Sequence, residues 1–470
     1  MDSIINFLNT VFWSYILLYG LLAVGLYFTI RLGFIQFLHF REMIRCVTGS
    51  GEATKNGITP LQALTVSLAS RVGTGNMAGV AVALYLGGPG AIFWMWIVAL
   101  VGMATAYAES LLAQLYKVRG PHGMYRGGPA VYITNGLGAR WAGIVFAICL
   151  LISFGLVFNA VQANAIAGAM KGAFAVPELV SGIGIAALAG IVIFGGVRKI
   201  ARVAEIVVPF MAGIYLLLAL AILVMNIGQV PAVLSNILAN AFGLDEAVGG
   251  VTGGVMAAMM NGVKRGLFSN EAGMGSAPNI AAVAVPEPHH PASQGFVQAL
   301  GVFIDTLVIC TCTAIIILLS GILVHENGVT GMALTQDALE EHVGWFGAYF
   351  IAVAIFFFAF TSIIGNYSYA ENAVVFLGLR RGPGLTIMRC AVLAMVVWGS
   401  LQSVATVFNA ADASMGLMAS INLVAIVLLS GQVVRLTRDY IEQRKAGSVP
   451  KFHIARHEGL GDGIDPEIWK

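Results

Sequence analysis

Ten residues of the sequence, SRVGTGNMAG at Ser70–Gly79, place polar residues and glycines inside an otherwise apolar stretch. Mainly apolar runs flank them at Leu61–Ala69 and Val80–Leu86. Unwound backbone at membrane depth is tolerated only where it is buried in protein or lines a water-filled cavity. A second such interruption, GLFSNEAGMGSAP, occupies Gly266–Pro278. Because transporters bind substrates and ions at broken helices, these two interruptions predict a secondary transporter.

The two halves of a broken helix offer opposite chemistry. The first half ends in carbonyl oxygens without partners, and the second half begins with N–H groups without partners. A zwitterionic amino acid needs donors for its carboxylate and acceptors for its ammonium, and unwound carbonyls also coordinate sodium. The residues of the first break suited to this task are Gly73, Thr74, Gly75 and Asn76. We expect the N–H groups near Gly75 and Asn76 to face a carboxylate and the carbonyls around Ala69–Val72 to ligate a cation.

Composition indicates a membrane protein. Of the 470 residues, 58% are hydrophobic and only 10% are charged, against about 25% charged in soluble domains. The mean hydropathy is +0.86, and strand-like alternation is absent, so we predict an all-α polytopic membrane protein. The first apolar stretch lacks a basic leader and is long enough to span, so we expect no cleavable signal peptide.

Eleven apolar segments have about the 20-residue length that a bilayer requires. They lie near 11–31, 60–86, 88–116, 141–170, 178–197, 203–226, 248–284, 293–323, 343–377, 384–408 and 410–434. With the N-terminus outside and the C-terminus inside, 21 of the 25 lysines and arginines fall on the cytoplasmic side. The positive-inside rule therefore predicts an N-out, C-in topology.

With the first segment set aside as peripheral, ten remain, and the breaks fall in the first and the sixth. Five helices per half give the two halves opposite orientations, as in transporters built from inverted repeats. The predicted divisions are a peripheral helix (11–31), a cytoplasmic amphipathic connection (32–57), a first five-helix repeat (58–226), an extracellular connection (227–247), a second five-helix repeat (248–437) and a cytoplasmic tail (438–470). We further expect an interfacial helix at Phe34–Cys46, a short lid helix at Gly331–His342, and a loosely held tail beyond Tyr440.

Three motifs carry a resemblance to a known family. The run GGPGAIFWMWIVALVG at Gly87–Gly102, with SRVGTGNMAGVA at Ser70–Ala81 and NGVKRGLFSNEAGMGSAP at Asn261–Pro278, is similar to the signatures of the alanine or glycine:cation symporters, also called sodium:alanine symporters. The resemblance covers roughly residues 11–440. It implies a LeuT-type 5+5 inverted repeat in the plasma (inner) membrane. It also implies import of alanine, glycine or a similar small neutral amino acid, coupled to sodium or sometimes to protons, without any other cofactor.

The resemblance also implies site residues. The substrate-binding candidates from the three contributing helices are Thr74, Gly75, Asn76, Gln162, Ser269, Asn270, Gly273 and Ser276. Fold analogy adds Thr361 and Ser362 to Ala69 and Val72 as sodium ligands. A plain interhelical hydrogen bond would also explain Gln162, and Thr361 and Ser362 could simply bond to carbonyls one turn back.

Placing an ionisable side chain inside a membrane span costs free energy, so such residues usually have a function. Arg71 and Glu271 lie in opposite breaks, so we expect them to pair or to join a gating network; the plainer alternative is that they only satisfy unwound backbone. Asp305, in GVFIDTLVIC, is a candidate proton site, which keeps proton coupling open as an alternative to sodium.

Other classes of function fit less well. The sequence has no HExxH or GxSxG motif and no paired aspartates at mid-membrane depth, so we do not expect an enzyme. A channel would need repeated pore loops or rings of charge. A non-transporting amino-acid sensor on the same fold stays open. Nothing in the sequence suggests a nucleic-acid partner.

Overall fold

The computed structural model describes residues 2–49, 51, 56–120, 123–243, 251–322, 328–379, 383–457, 459–460 and 463–469. Parts of the predicted connections (52–55 and 244–247) and tail positions 458, 461, 462 and 470 lie outside these residues. The helices, numbered along the chain, are α1 (Ile5–Arg31), α2 (Ile35–Leu38), α3 (Phe40–Thr48), α4 (Pro60–Arg71), α5 (Gly75–Gly87), α6 (Gly90–Leu115), α7 (Pro129–Leu137), α8 (Arg140–Phe174), α9 (Glu178–Ile193), α10 (Val197–Met225), α11 (Val230–Ala241), α12 (Val251–Asn270), α13 (Pro278–Ala281), α14 (Pro291–Ser320), α15 (Met332–Val343), α16 (Phe346–Phe376), α17 (Gly384–Ser400), α18 (Val404–Leu428) and α19 (Ser430–Lys445).

Within the described residues, seven helices are long and apolar enough to cross a membrane: α1, α6, α8, α10, α14, α16 and α18. Four further apolar helices are shorter: α5, α9, α11 and α17. Helix α10 shows why a bilayer is needed, because Ile206, Phe210 and Leu217 on it are mostly exposed. The chain is therefore a multi-pass, all-helical membrane protein.

The first predicted break is present and is narrower than expected. Helix α4 begins with a capping box, in which Thr59 Oγ1 accepts from the Gln62 N–H at 3.1 Å and the Thr59 N–H donates to Gln62 Oε1 at 3.2 Å. It ends at Arg71, because Val72 adopts an extended conformation with φ −76° and ψ 94°. The chain becomes helical again at Gly75, where α5 starts with one π-helical turn.

The second predicted break follows α12. Three residues after Asn270 have positive φ: Glu271 (59°), Gly273 (86°) and Gly275 (81°). Such left-handed conformations interrupt a helix, and they are costly for a residue with a side chain such as glutamate. After this break, the second half of the broken helix consists only of the single turn of α13. The chain downstream forms a parallel bridge between Ala284 and Ile58, which precedes α4.

Helix packing places both breaks in the centre of the molecule. Helix α6 packs against α12 and α14, α8 packs against α16 and α17, and α4 packs against α10 and α16. Gly365 allows the close approach of α16 to the end of α4, since a Cβ on Gly365 would lie 3.0 Å from the backbone nitrogen of Ser70.

Several details differ from the sequence predictions. Two short helices, α7 and α11, and the hairpin of β1 (Val118–Arg119) with β2 (Tyr125–Arg126) were not predicted. The last two spans meet between Ser400 and Val404 and not near residue 409, because Ser403 accepts from the Thr406 N–H and starts α18. Both predicted short segments are helical, the first as α2 and α3 and the second as α15.

The prediction of a loosely held tail is wrong. Beyond α19, the side chains of Phe452 and Trp469 have no exposed surface, and those of Leu460, Ile464 and Ile468 are buried as well. Apolar residues scattered through a polar segment do not form a pattern that predicts burial, and these residues are buried only because the segment folds back onto the rest of the chain.

Candidate functional site

The two breaks lie directly against each other. The Ser70 hydroxyl, in the last turn of α4, lies 2.7 Å from Glu271 Oε1 in the second break and 2.6 Å from Asn366 Oδ1 of α16. Gly75 packs on Ser269, because a Cβ on this glycine would lie 3.0 Å from the Cα of Ser269. The unwound backbone of both helices is therefore buried in protein, which is the condition for its stability at membrane depth.

A buried carboxylate joins the two broken helices. Asp305 of α14 accepts from Asn76 Nδ2 at 2.7 Å through Oδ1, and from the Ser269 hydroxyl at 2.7 Å through Oδ2. The Thr306 hydroxyl donates to Oδ2 at 2.7 Å, and the Cys310 sulfur lies 3.3 Å from Asn76 Nδ2. The structure thus brings three predicted residues together and adds two that sequence reasoning missed.

Gln162 contacts the first break. Its Oε1 accepts from the Thr74 N–H at 2.9 Å and from the Thr74 hydroxyl at 2.8 Å. The interhelical bond proposed as the plain explanation for Gln162 is therefore formed, and its partner is a predicted substrate residue. Gly73 allows this approach, because a Cβ there would lie 2.6 Å from Gln162 Oε1 and 2.3 Å from the Ser362 Oγ. The N–H of Gly73 donates to Asn76 Oδ1 at 2.9 Å.

The four predicted sodium ligands are buried near the end of α4. Thr361 and Ser362 both donate to the Phe358 carbonyl one turn back, at 2.9 and 3.0 Å. The Ser362 hydroxyl also lies 3.4 Å from the Val72 carbonyl oxygen. A hydroxyl that donates to a carbonyl keeps its lone pairs free for a cation. Ala69 is buried in the last turn of α4.

The remaining candidates of the second break form a separate group. The Ser276 hydroxyl donates to Glu271 Oε2 at 2.5 Å, and the Gly273 N–H donates to Glu109 at 3.3 Å. Asn270 accepts from the Ala272 N–H at 3.0 Å. These contacts are made within the break and its surroundings and not with the Asp305 group.

Glu109 is a residue of the site that the predicted set lacked. Besides Gly273, its carboxylate accepts from the Gly275 N–H at 3.2 Å and from Asn422 Nδ2 at 2.8 Å. The Tyr132 hydroxyl donates to Asn422 Oδ1 in turn. Glu109 therefore satisfies the backbone that the second break leaves without helical partners. The available signal was a glutamate in the last third of the apolar helix α6.

Arg71 and Glu271 do not form the expected direct ion pair. The Arg71 NH1 group instead lies 3.4 Å from the Gln298 carbonyl of α14, and its Nε and NH2 groups have no hydrogen-bond partner. The carbonyl of this neighbouring helix is within reach because α14 approaches α4 closely at Gly301, where an added Cβ would lie 2.4 Å from Arg71 NH1.

One to four residues before Ser269 on α12, aromatic rings and an ion pair fill the space between α12 and α18. Phe268 stacks on Phe158 at 4.7 Å, and its ring centroid lies 5.3 Å from that of Phe408. The guanidinium of Arg265 lies 4.9 Å from the Phe408 ring centroid and pairs with Asp412.

A cavity of about 280 Å³ opens beside the first break. Its lining includes Thr74 and Ala78 from the break and α5, Asn164 of α8, Met332 of α15 and Phe408 of α18. The cavity therefore extends from α15 to Thr74, the residue that donates to Gln162.

The multi-pass helical fold, with two broken helices that meet at a buried polar centre beside a cavity, defines a membrane transporter. The sequence profile described as "Sodium:alanine symporter family" matches residues 1–454. The chain belongs to this family and is a transporter, not an enzyme.

Individual relatives agree with this assignment. The chain is 51% identical over 469 residues to the amino-acid carrier protein AlsT of Bacillus subtilis, an alignment that covers 100% of this chain and 98% of AlsT. It is 47% identical to the probable sodium/glutamine symporter GlnT of Bacillus subtilis, over 98% of this chain and 95% of that protein. It is 39% identical to the sodium/proton-dependent alanine carrier protein of Bacillus sp. PS3, over 88% of this chain and 95% of that protein.

Proposed function

We propose that the protein is a symporter that imports a small neutral amino acid, alanine or glycine, on a sodium gradient by alternating access. The observation that carries this proposal is the meeting of the two breaks at Asp305, which accepts from Asn76 of one broken helix and from Ser269 at the end of the other. A ligand at this point touches both halves of the fold, so its binding can couple their movement.

The proposed architecture is the LeuT-type 5+5 inverted repeat with α1 as a peripheral helix. The seven long helices, together with α9, α17 and the broken pairs α4–α5 and α12–α13, make the eleven predicted spans. The predicted boundaries of the two repeats, the N-out, C-in orientation and the location in the plasma (inner) membrane are part of this proposal. The basis for the orientation is the distribution of lysine and arginine.

The substrate carboxylate is proposed to bind at Thr74, Gly75 and Asn76. The N–H and hydroxyl of Thr74 converge on a single acceptor, Gln162 Oε1. A carboxylate accepts such hydrogen bonds more strongly than a neutral amide oxygen. Gln162 would then turn toward the substrate, and the helix-end oxygens at Ser269 and Asn270 would face its ammonium, with Gly273 and Ser276 shaping the second break.

The coupling cation is proposed to bind between the carbonyls of Ala69 and Val72 and the hydroxyls of Thr361 and Ser362. The 3.4 Å approach of the Ser362 hydroxyl to the Val72 carbonyl oxygen supports this, since both oxygens can face one ion. Asp305 is the alternative coupling site and would carry a proton. The words "sodium/proton-dependent" in the name of the relative from Bacillus sp. PS3 are a reason to keep both ions.

Glu271 and Arg71 are proposed to act in gating. Glu271 bonds to both sides of the junction between the breaks, through Ser70 and Ser276. A Glu271→Gln variant should therefore change the rate or the ion dependence of transport. Unchanged transport and ion dependence would show that Glu271 only satisfies unwound backbone.

The decisive experiment is uptake of labelled alanine by the purified protein in proteoliposomes, driven separately by a sodium gradient and by a pH gradient. Uptake on the sodium gradient alone supports sodium symport, and uptake on the pH gradient alone supports the proton alternative. Binding without uptake would identify a sensor. Glycine, serine and glutamine as unlabelled competitors would rank the substrates, and glutamine is included because one relative is named as a glutamine symporter.

A further inference from the structure

Trp469 fills a gap beside the inner end of α6. Its indole Nε1 donates to the carbonyl oxygen of Leu115, the last residue of α6, at 3.1 Å. The ammonium of Lys117 lies 4.8 Å from the indole ring centroid, and the ring of His289 lies 5.0 Å away. Trp469 has no exposed surface. A residue far along the tail is thus held between α6 and the chain that follows α13.

Main-chain hydrogen bonds hold the rest of the tail segment, defined here as the described part of residues 448–469. The Phe452 N–H donates to the His289 carbonyl at 3.0 Å, and the Ile454 N–H donates to the Trp469 carbonyl at 3.0 Å. The Phe452 and Trp469 ring centroids are 5.4 Å apart. The tail segment therefore folds back on itself and docks as a compact unit.

Lys117 connects the tail segment to the ends of both broken helices. Its Nζ donates to the Ala284 carbonyl at 3.3 Å and to Gln114 Oε1 at 2.8 Å, while Gln114 Nε2 donates to the Ala284 carbonyl at 3.0 Å. Ala284 in turn forms the parallel bridge with Ile58. The inner ends of α4, α6 and α13 and the tail segment thus form one hydrogen-bonded face.

We propose that the tail segment is a latch that keeps this face closed and is released when the transporter opens inward. The inference rests on the proposed alternating-access function and orientation. A path from the breaks to this face requires Ala284 and Ile58 to separate. Lys117 holds Ala284 against α6, and Trp469 packs on Lys117 and donates to Leu115, so the docked tail segment keeps Ala284 in the position from which it bridges to Ile58. The latch is closed while the cavity beside Thr74 is open, so it favours the outward-facing state.

Hydrogen exchange measured by mass spectrometry on the full-length protein in nanodiscs tests the latch. Peptides covering 281–290 and 448–469 would be followed in sodium and in potassium buffer. We expect exchange in both peptides to be about threefold or more faster in potassium, where the inward-facing state is more populated. Trp469→Ala should make peptide 281–290 exchange fast in sodium also. The matched control Trp345→Ala changes a tryptophan that is 72% exposed and should behave as the wild type.

The outcomes separate the latch from the transport function. Wild-type protein that takes up alanine on a sodium gradient, but whose two peptides exchange equally in both buffers, would overturn the latch and leave the function standing. Absence of ion-driven uptake in the wild type would overturn the proposed function itself. A Trp469→Ala protein in which only peptide 448–469 exchanges faster would mean that the contact stabilises the tail alone, and the latch would again be wrong. The wild-type comparison decides the question even if the variant does not fold.

Discussion

The amide nitrogen of Asn76 lies 2.7 Å from Asp305 Oδ1, so a side chain of the first broken helix donates to a buried carboxylate of α14. The same carboxylate accepts from Ser269 at the end of α12. The side chains of Asn76 and Asp305 are both fully or almost fully buried. In a medium of low dielectric constant, a carboxylate in this position attracts a cation or a proton strongly. This relationship makes Asp305 the first residue to test.

Asp305→Asn should weaken ion coupling. Removing the charge keeps the shape of the side chain but removes the attraction for a cation, so the apparent sodium affinity should fall about tenfold or more, equivalent to about 1.4 kcal/mol. Sodium titrations of alanine uptake would measure this. The control Asp337→Asn changes an exposed carboxylate on α15 and should leave the titration unchanged. An unaltered sodium titration in Asp305→Asn would exclude a role of this carboxylate in sodium binding.

Gln162→Ala should weaken substrate binding. The substitution removes the amide that is proposed to turn toward the charged substrate when the substrate carboxylate takes over the Thr74 donors, and it removes one wall of the space beside Gly73. A lost hydrogen bond to a charged group costs about 1.5–3 kcal/mol, so the dissociation constant of labelled alanine should rise about tenfold or more. The exposed Gln229 provides the control variant. Equal affinities in both variants would mean that the substrate site lies elsewhere.

Gly73→Ala should strongly reduce uptake. The added Cβ would lie 2.3 Å from Ser362 Oγ and 2.6 Å from Gln162 Oε1, so it would push apart the proposed ion and substrate ligands. Overpacking of this kind costs about 1–3 kcal/mol. Gly184→Ala is the matched control, because nothing lies within 4 Å of the added atom. Both sodium affinity and alanine affinity should change in Gly73→Ala; normal values for both would refute the shared position of the two sites.

Glu109→Gln should destabilise the second break. The glutamate accepts from two backbone N–H groups and from Asn422. Glutamine would place its NH₂ group against at least one of these N–H donors, and that hydrogen bond would be lost. Loss of such contacts at a buried site costs about 1–3 kcal/mol. We expect a lower unfolding temperature in detergent together with slower uptake. Glu340→Gln, an exposed change, serves as control, and wild-type stability in Glu109→Gln would show that the break does not need the carboxylate.

The docked tail segment should loosen in acid because of His290. Its Nδ1 accepts from the Ala292 N–H at 3.1 Å, so the proton of the neutral ring is on Nε2, which faces Asp439 at 3.1 Å. Burial lowers the pKa of His290 below its ordinary value of 6.5, against the opposing effect of Asp439, and burial lowers the pKa of His457 as well. Asp439 and His457 are therefore the titratable groups that face the His290 ring, together with the adjacent His289 and Tyr440, whose ring meets the His290 ring edge to face.

The lowered pKa of the docked His290 determines how docking depends on pH. Well above pH 6.5 both the docked and the released histidine are neutral, and docking has its full strength. As the pH falls below 6.5, the released state takes up a proton first, so docking weakens. The ¹⁹F NMR signal of 5-fluorotryptophan at Trp469 should shift toward that of a solvated ring between about pH 7.5 and 5.5. His290→Gln should remove the response and His342→Gln should keep it; a Trp469 signal that does not change with pH would contradict this account.

Some of the site could be predicted from the sequence because the signal is local. Glycines and polar residues within an apolar stretch locate a helix break, and both predicted breaks are present, at Val72–Thr74 and after Asn270. The capping residue Thr59 and the charged residues within the spans are visible in the same way. The family resemblance, carried by three contiguous motifs, is confirmed by the comparisons with known proteins.

The partners of these residues could not be read from the sequence. Thr74 and Gln162 are 88 positions apart, Asn76 and Asp305 are 229 apart, and Glu109 and Gly273 are 164 apart. Long helices bring such residues together only through packing, and a shift of one residue along a helix turns a side chain by about 100°. The absence of an Arg71–Glu271 ion pair and the burial of Trp469 have the same origin.

By itself, the sequence determined that this chain is a multi-pass membrane transporter with two interrupted helices, because hydropathy and helix-breaking residues act over short distances. Only the tertiary structure decided which donors and acceptors the interruptions use, and that the tail segment is docked. Those choices depend on which helices cross at which residues, and this is a property of the packed fold and not of any segment.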